Sequence, residues 1–302
     1  MKILVTGGCG FIGSHIVDRY VDESHDVVVI DNLSTGDIKN LNPQATFYEE
    51  DICDETIEKI FQQEKFDTIN HHAAQINVRT SVDDPRFDAR VNIIGTVNLL
   101  TLGVKYGMQR FVFASSGGAI YGEPDRFPIT EDFPLNPLSP YAVAKMAAEK
   151  YIRAFAKMYA FHYTILRYSN VYGPRQISKS EAGVISIFIN QILDNKECIV
   201  FGDGHQVRDY VYVHDVVEAN VRALNCRSDM YNIGTGVATS VNDLVDILSD
   251  ITNKKIEHRH DTPRPGEVFK NVLDCSKAAS VLQWKPTTPL RQGIHTTFEY
   301  FQ

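Results

Sequence analysis

Residues 2–15 read Lys2-Ile-Leu-Val-Thr-Gly-Gly-Cys-Gly-Phe-Ile-Gly-Ser-His15. The short apolar run at 2–6 predicts a buried strand. Gly7, Gly10 and Gly13 then form G-x-x-G-x-x-G, and Phe11, Ile12, Ile16, Val17, Tyr20 and Val21 recur with helical period. Strand, glycine turn and helix in this order let backbone N–H groups and a helix N-terminus face a pyrophosphate. Cys9 reads as a small residue filling the tight turn. A second apolar run, 26–30, ends in Asp31-Asn32. Asp31 falls roughly 20 residues past the glycines, where an acid accepts hydrogen bonds from an adenine ribose. An acid there repels a 2′-phosphate, so NAD is expected rather than NADP.

Outward from this unit the alternation continues. Residues 46–49 read as a strand, followed by Asp51-Ile52, where an adenine edge is met. Residues 57–61 are helical in pattern, and 67–71 form a strand ending at His72-Ala73-Ala74-Gln75. Small residues at a strand's carboxyl end allow close approach of a cofactor. Residues 88–106 predict one long amphipathic helix, 110–114 a strand delivering Ser115-Ser116-Gly117-Gly118, and 162–166 a sixth strand. The expected fold is α/β, a doubly wound parallel sheet of the Rossmann type. After Arg167 the elements become shorter and mixed, which predicts a smaller, mixed α/β C-terminal lobe. The expected division is 1–167 and 168–302, with about 208–226 returning to the first domain.

The chain has 302 residues and a net charge of −8, which argues against nucleic acid as a partner. Its five cysteines are scattered and form no C-x-x-C, so free thiols in a reducing compartment are expected. No apolar run is long enough to span a bilayer, and Met1 leads straight into a strand with no signal peptide. The expected location is cytoplasmic. His71 and His72 lack a metal-ligand partner at helical spacing, and no metal is expected.

The stretch Ser139-Pro140-Tyr141-Ala-Val-Ala-Lys145 carries the chemistry. Pro140 suits a first helical turn, and Tyr141 and Lys145, four apart, share one helix face. An ammonium beside a phenol favours the phenolate, which makes a tyrosine a usable general base near neutral pH. The bland alternative is a surface helix that carries both by chance.

Taken together, Thr6–His15, Asp31–Gly36, Ala73-Ala-Gln75, Tyr141-x-x-x-Lys145, Arg167-Tyr-Ser-Asn-Val-Tyr-Gly-Pro-Arg175 and Arg208-Asp-Tyr-Val-Tyr-Val213 resemble the extended short-chain dehydrogenase/reductase superfamily. Within it the chain is most similar to the UDP-glucose 4-epimerase family, end to end. The resemblance implies a retained NAD, held by Gly7, Gly10, Phe11, Ile12 and Gly13 in the turn. Asp31, Asn32, Ser34, Thr35 and Gly36 follow the second strand, and Asp51 and Ile52 flank the adenine. Ala73, Ala74, Gln75, Asn92, Ser115, Tyr141, Lys145, Tyr168 and Val171 line the remainder. It implies a catalytic Tyr141 and Lys145 with a serine bridging the sugar oxygen and Tyr141, and C4 inversion of a UDP-hexose through a 4-keto sugar. It implies substrate contacts from Asn170, Val184, Phe188, Phe201, Arg208, Arg264, Glu267 and Asn271. Arg208 and Arg264 match diphosphate-binding arginines, Asn170 an asparagine at the phosphate, and Glu267 an acid at the uridine ribose. The 198–204 segment would border the uracil, and Asn271 falls at a position that gates N-acetylated sugars.

One departure concerns the catalytic hydroxyl. Counted back from Tyr121-Gly122, the family's Ser/Thr position falls on Gly117. Two glycines permit a bulge, and spacing to Tyr141 favours Ser116, with Ser115 at the nicotinamide or its support. Related 4,6-dehydratases carry an acidic pair after this position and glucuronate decarboxylases a glutamate; Gly117-Gly118-Ala119 offers neither. For a uronic sugar, Glu181 in the 178–183 stretch would repel a C6 carboxylate. The remaining alternatives are a UDP-GlcNAc or UDP-glucuronate 4-epimerase, then a nucleotide-sugar 4,6-dehydratase or a non-catalytic NAD-binding sensor. The resemblance also implies a homodimer in which helices 88–106 and 139–158 pair into a four-helix bundle.

Overall fold

The computed structural model describes residues 1–177, 183–263 and 268–302. The first half runs β1 (Lys2–Thr6), α1 (Phe11–Asp22), β2 (Asp26–Asp31), β3 (Thr46–Glu49), α2 (Glu58–Glu64), β4 (Thr68–His71), α3 (Val78–Asp83), α4 (Pro85–Ala89), α5 (Gly95–Lys105), β5 (Arg110–Ser116), α6 (Pro140–Tyr159) and β6 (His162–Tyr168). The second half runs β7 (Asn170–Tyr172), α7 (Val184–Leu193), β8 (Cys198–Phe201), β9 (Val207–Arg208), β10 (Tyr210–Tyr212), α8 (Val213–Ala223), β11 (Asp229–Ile233), β12 (Thr239–Ser240), α9 (Val241–Thr252), β13 (His258–Asp261), β14 (Lys270–Asn271), α10 (Ser276–Ser280) and α11 (Leu290–Phe301).

Seven parallel strands form the central sheet in the order β3-β2-β1-β4-β5-β6-β11. Alternate residues of β1 feed opposite faces. Leu4 joins a core with Val28, Leu99, Phe113 and Ile152, while Ile3 and Val5 join Ile16, Val17, Val29 and Val217. This is a Rossmann-like α/β fold. A third core, with Tyr172, Phe188, Val200, Leu244 and Ile294, holds the second lobe together.

The strand order reverses beside β1, so β1 and β4 open a crevice at their carboxyl ends. Gly7 sits there with φ +70°, and a Cβ on it would lie 2.7 Å from Ala73 N. Gly13 is tighter: a Cβ would run into the Gly7 carbonyl oxygen, so α1 packs directly on the turn.

Two expectations need correction. The single helix over 88–106 begins at Pro85 and is interrupted by a π-helical turn, Arg90–Ile94, between α4 and α5. The segment returning to the central sheet extends past 226, because β11 pairs with β6 from Asp229↔Thr164 to Ile233↔Tyr168. Trp284 lies on the same side, its indole N–H donating to Asp215 O at 2.7 Å.

Replacing Gly13 with Ala should lower the unfolding midpoint and strip the protein of dinucleotide, an overpacking cost of about 1–3 kcal/mol. Denaturant unfolding and assay of released NAD check it; a wild-type midpoint with wild-type NAD content would contradict the packing argument.

Candidate active site

Helix α6 starts where the sequence places it. Ser139, in extended conformation, accepts from Ala142 N at 3.2 Å, and Pro140 fills the first turn. This cap sets Tyr141 one residue inside the helix, over the end of β5. The Ser116 hydroxyl lies near enough to Tyr141 to lower the proton affinity of its phenol. Strand β5 then curls: Gly117 N and Gly118 N both donate to Tyr168 O, at 2.8 and 3.2 Å, and Ile120 N donates back to Ser116 O at 3.2 Å. A Cβ at Gly117 would meet Leu273 Cδ1 at 2.7 Å, so this position is closed to a side chain. A Cβ at Gly118 would find only Ser116 Oγ, at 3.9 Å, within reach. The bulge therefore leaves room beside the Ser116 hydroxyl.

Ser115 points the other way. Its hydroxyl is buried and donates to Glu149 Oε1 at 2.6 Å. It supports α6 from beneath.

Lys145 is 3% exposed; its ammonium donates to Ala114 O at 3.0 Å and lies 4.9 Å from the Phe113 ring centroid. Burial pushes Lys145 down to about 8, with the Asp88 and Glu149 carboxylates opposing. Burial pushes Tyr141 up to about 12, opposed by the Ser116 hydroxyl, with Asp88 raising it further. The expectation that Lys145 depresses Tyr141 is thus not met. The ammonium engages a backbone carbonyl, its nitrogen stays 6.0 Å from the Tyr141 ring centroid, and desolvation dominates.

The dinucleotide crevice is built from the expected segments. Thr6 Oγ1 accepts from His72 N and Ala73 N, each at 3.2 Å, and Ala74 follows half-buried. Asp31 is buried, accepts from Cys9 N and Leu33 N at 2.9 Å each, and lies against Gly36. Asn32, Ser34 and Thr35 are exposed beyond it; Asn32 donates to Asp51 Oδ2 at 3.0 Å. A glycine cradle that a Cβ would fill, followed by a carboxylate, fits a dinucleotide. Ile52 is buried in the core against Gly95 rather than presented to the crevice. Phe11 and Ile12 are half-buried against the second-lobe core. Asn92 and Gln75 bracket each other: Gln75 N donates to Asn92 Oδ1 at 3.1 Å, and Asn92 Nδ2 to Gln75 O at 2.9 Å. Both amides also donate to Asp88 Oδ1, at 2.7 and 2.9 Å. Tyr168 OH accepts from Asn220 Nδ2 at 2.8 Å and lies 3.1 Å from His72 Nε2; Val171 packs beside it in the same core. His71 is buried between Thr6 and Thr96 hydroxyls.

The second lobe brings part of the expected substrate set together. Arg208, on β9, donates to Val207 O and Phe269 O. Asn170 N donates to Asp209 O at 2.9 Å. Asn271 is buried, donates to Gly117 O at 3.1 Å, and its Oδ1 has no partner among the described residues. Phe201 lines a cavity of about 680 Å³ with Gly202, Asp203, Gln206, His260 and Phe269. Phe188 is in the core and Val184 half-buried at the start of α7. Arg264, Glu267 and Glu181 lie outside the described residues.

Sequence reading missed Asp88, 1% exposed with its proton affinity raised by burial. The available signal was Asp88 and Asn92, four apart on an otherwise apolar helix face. It also missed Glu149, third in the series 141, 145, 149.

Because the folded Lys145 loses its proton near 8 and the unfolded one near 10.5, the unfolded chain binds more protons between those values. Stability should therefore rise with pH across that window, relative to Lys145→Met, by on the order of 3 kcal/mol. Urea unfolding of the cofactor-free pair from pH 7 to 10.5 checks it; a constant difference between the two proteins would refute it.

Residues 3–234 match the model of the NAD dependent epimerase/dehydratase family. A UDP-glucose 4-epimerase of Mycolicibacterium smegmatis is 41% identical, over 100% of this chain and 99% of its own. Two crystal structures superpose closely. The UDP-glucose 4-epimerase of Thermotoga maritima with UDP-glucose has a TM-score of 0.98 at 48% identity, covering 100% of this chain and 98% of that one. The Thermus thermophilus UDP-glucose 4-epimerase in complex with NAD has 0.96 at 40% identity, covering 100% and 99%. On this match and these identities, the chain belongs to the NAD dependent epimerase/dehydratase family.

Proposed function

We propose that this protein is an isomerase that inverts C4 of a UDP-hexose, interconverting UDP-glucose and UDP-galactose. The observation that carries this is the placing of Tyr141 beside Ser116, with Lys145 one helical turn away, above a Gly117-Gly118-Ala119 segment that has no acid or base. Proton movement to and from one hydroxyl is the chemistry these groups support. Water elimination and decarboxylation lack the extra groups they require.

The turn at Gly7, Gly10 and Gly13, with Asp31, would hold NAD, and Lys145 would meet its nicotinamide ribose. When bound, NAD supplies the hydride acceptor and donor for the sugar's C4. Tyr141, as phenolate, takes the proton of the 4-hydroxyl and later returns it. Ser116 hydrogen-bonds both the sugar oxygen and Tyr141 and keeps the proton path short. The lysine ammonium favours the phenolate once it turns from the Ala114 carbonyl toward the hydroxyl. Arg208 supplies a guanidinium suited to a diphosphate, and the cavity at Phe201 accepts the base. The 4-keto sugar turns over in this pocket and is reduced on its other face.

Incubation with UDP-glucose without added NAD should give UDP-galactose. Tyr141→Phe should nearly abolish turnover while NAD stays bound, and Ser116→Ala should lower kcat by about 10²-fold. An unchanged rate in Ser116→Ala would remove Ser116 from the mechanism.

A second substrate is favoured by Asn271, smaller than tyrosine and with a free acceptor at Oδ1. We expect UDP-GlcNAc to turn over as well; no product from it would overturn that extension.

The assembly we propose is a homodimer. Val82, Phe87 and Ile94 are exposed on α3, α4 and the π turn, and Val143, Tyr151 and Met158 on α6. Pairing them across a two-fold axis buries both stripes. A monomer by sedimentation would refute it. No helix among the described residues is long and apolar enough to cross a membrane. We place the enzyme in the cytoplasm and in galactose metabolism, consistent with the free cysteines.

A further inference from the structure

Glu149 lies one turn beyond Lys145 on α6, and the β5–β6 register sets Ser115 opposite Arg167 and Ser116 opposite Tyr168. Ser115 and Arg167 therefore face α6 side by side. Glu149 Oε1 accepts from Ser115 Oγ at 2.6 Å and from Arg167 Nε at 3.0 Å, and Oε2 accepts from Arg167 Nη2 at 2.7 Å. Both charged side chains are 3% exposed. Arg167 Nη1 donates to Tyr121 OH at 2.8 Å and Glu131 O at 3.0 Å, and Tyr121 OH donates to Asn232 Oδ1 at 2.8 Å.

We propose that Glu149 and Arg167 are positioning residues: their two-pronged ion pair indexes α6 along β5 and β6, so that Tyr141 is held beside Ser116 at the end of β5. The inference rests on the epimerase reading of the site. A helix packed on a sheet by apolar contacts alone tolerates small slides and rotations. A fork of parallel hydrogen bonds has direction and does not. Ser115 transmits the constraint, since it is held by Glu149 and is covalently next to Ser116. The Lys145 and Glu149 positions are separated by about 6 Å of helix rise, so a slip at Glu149 reaches the catalytic pair undiminished. A buried ion pair is a costly way to gain stability; here its product is registration.

The test separates stability from registration. Replacing both charges by apolar side chains, Glu149→Leu with Arg167→Met, leaves no unpaired charge and should keep the unfolding midpoint and the bound NAD near wild type. The expected kcat for UDP-glucose falls about 10- to 100-fold, with KM within about twofold of wild type. Crystal structures of the two proteins should show Tyr141 displaced from Ser116 in the double variant relative to wild type. Wild-type kcat in a stable double variant, or Tyr141 and Ser116 unshifted from their wild-type positions in its crystal structure, overturns the proposal; the crystallographic outcome decides it even if the wild-type protein has no epimerase activity. Should the double variant not fold, Arg167→Lys takes its place. It keeps the charge but loses the fork, and kcat should fall about tenfold with NAD still bound; an unchanged kcat overturns the proposal.

Discussion

A Cβ at Gly7 would lie 2.7 Å from Ala73 N, and the rest of the site depends on that approach. Parallel strands end together, so a doubly wound sheet opens one crevice where its order reverses. For a dinucleotide to enter, the turn after β1 and the strand end of β4 must lie almost in contact. Gly7 with positive φ and Ala73 with a single methyl group satisfy this, and Thr6 Oγ1 ties the two by accepting from His72 N and Ala73 N. The cofactor cleft and the packing of α1 are consequences of one steric constraint.

The second theme is charge taken out of water. Asp88, Lys145, Glu149 and Arg167 are all buried, two of each sign, so the cluster is neutral. None stands alone: Asp88 accepts from Gln75 and Asn92, Lys145 donates to Ala114, and Glu149 forks onto Arg167. Such a network is favourable only when every member is satisfied. Its cost appears at Lys145, whose ammonium is held less firmly than in water, and at Tyr141, whose phenol is held more firmly. The polypeptide by itself keeps the Tyr141 phenol protonated, with the Lys145 ammonium resting on the Ala114 carbonyl.

Much of this was legible in the amino-acid order. The 2–15 stretch, Asp31, the alternation of runs and the Tyr141/Lys145 spacing are local patterns, and each maps to a local structure. The π turn at 90–94 was not legible, because an inserted residue barely disturbs helical periodicity while moving Asn92 and Asp88 into the interior. Joining of β11 to β6 was missed because a five-residue strand carries no mark of its partner. Ile52 and Phe188 went to cores because apolar residues near a binding segment look the same whether they face ligand or protein. The direction of Ser115 depended on Glu149, 34 positions away. Arg264 and Glu267 rest on the resemblance alone.

The doubled glycine at 117–118 shows how the end of β5 is tied to the second lobe. Leu273 occupies the space a side chain at 117 would need, and Asn271 reaches back to the Gly117 carbonyl. Leu273 N in turn donates to buried Asp209, which also accepts from Thr235 N and Gly236 N. Asp209 is bracketed by Arg208 and Tyr210 and carries Asn170 on its carbonyl. One chain of contacts thus runs from the turn after Ser116 through Asn271 and Leu273 to the segment bearing Arg208. Enlarging residue 117 to restore a side-chain hydroxyl would push on Leu273, and through it on Asp209 and the segment around Arg208. The absence of a side chain at 117 is therefore a property of how Leu273 and Asn271 pack against the end of β5, and no change confined to β5 reverses it.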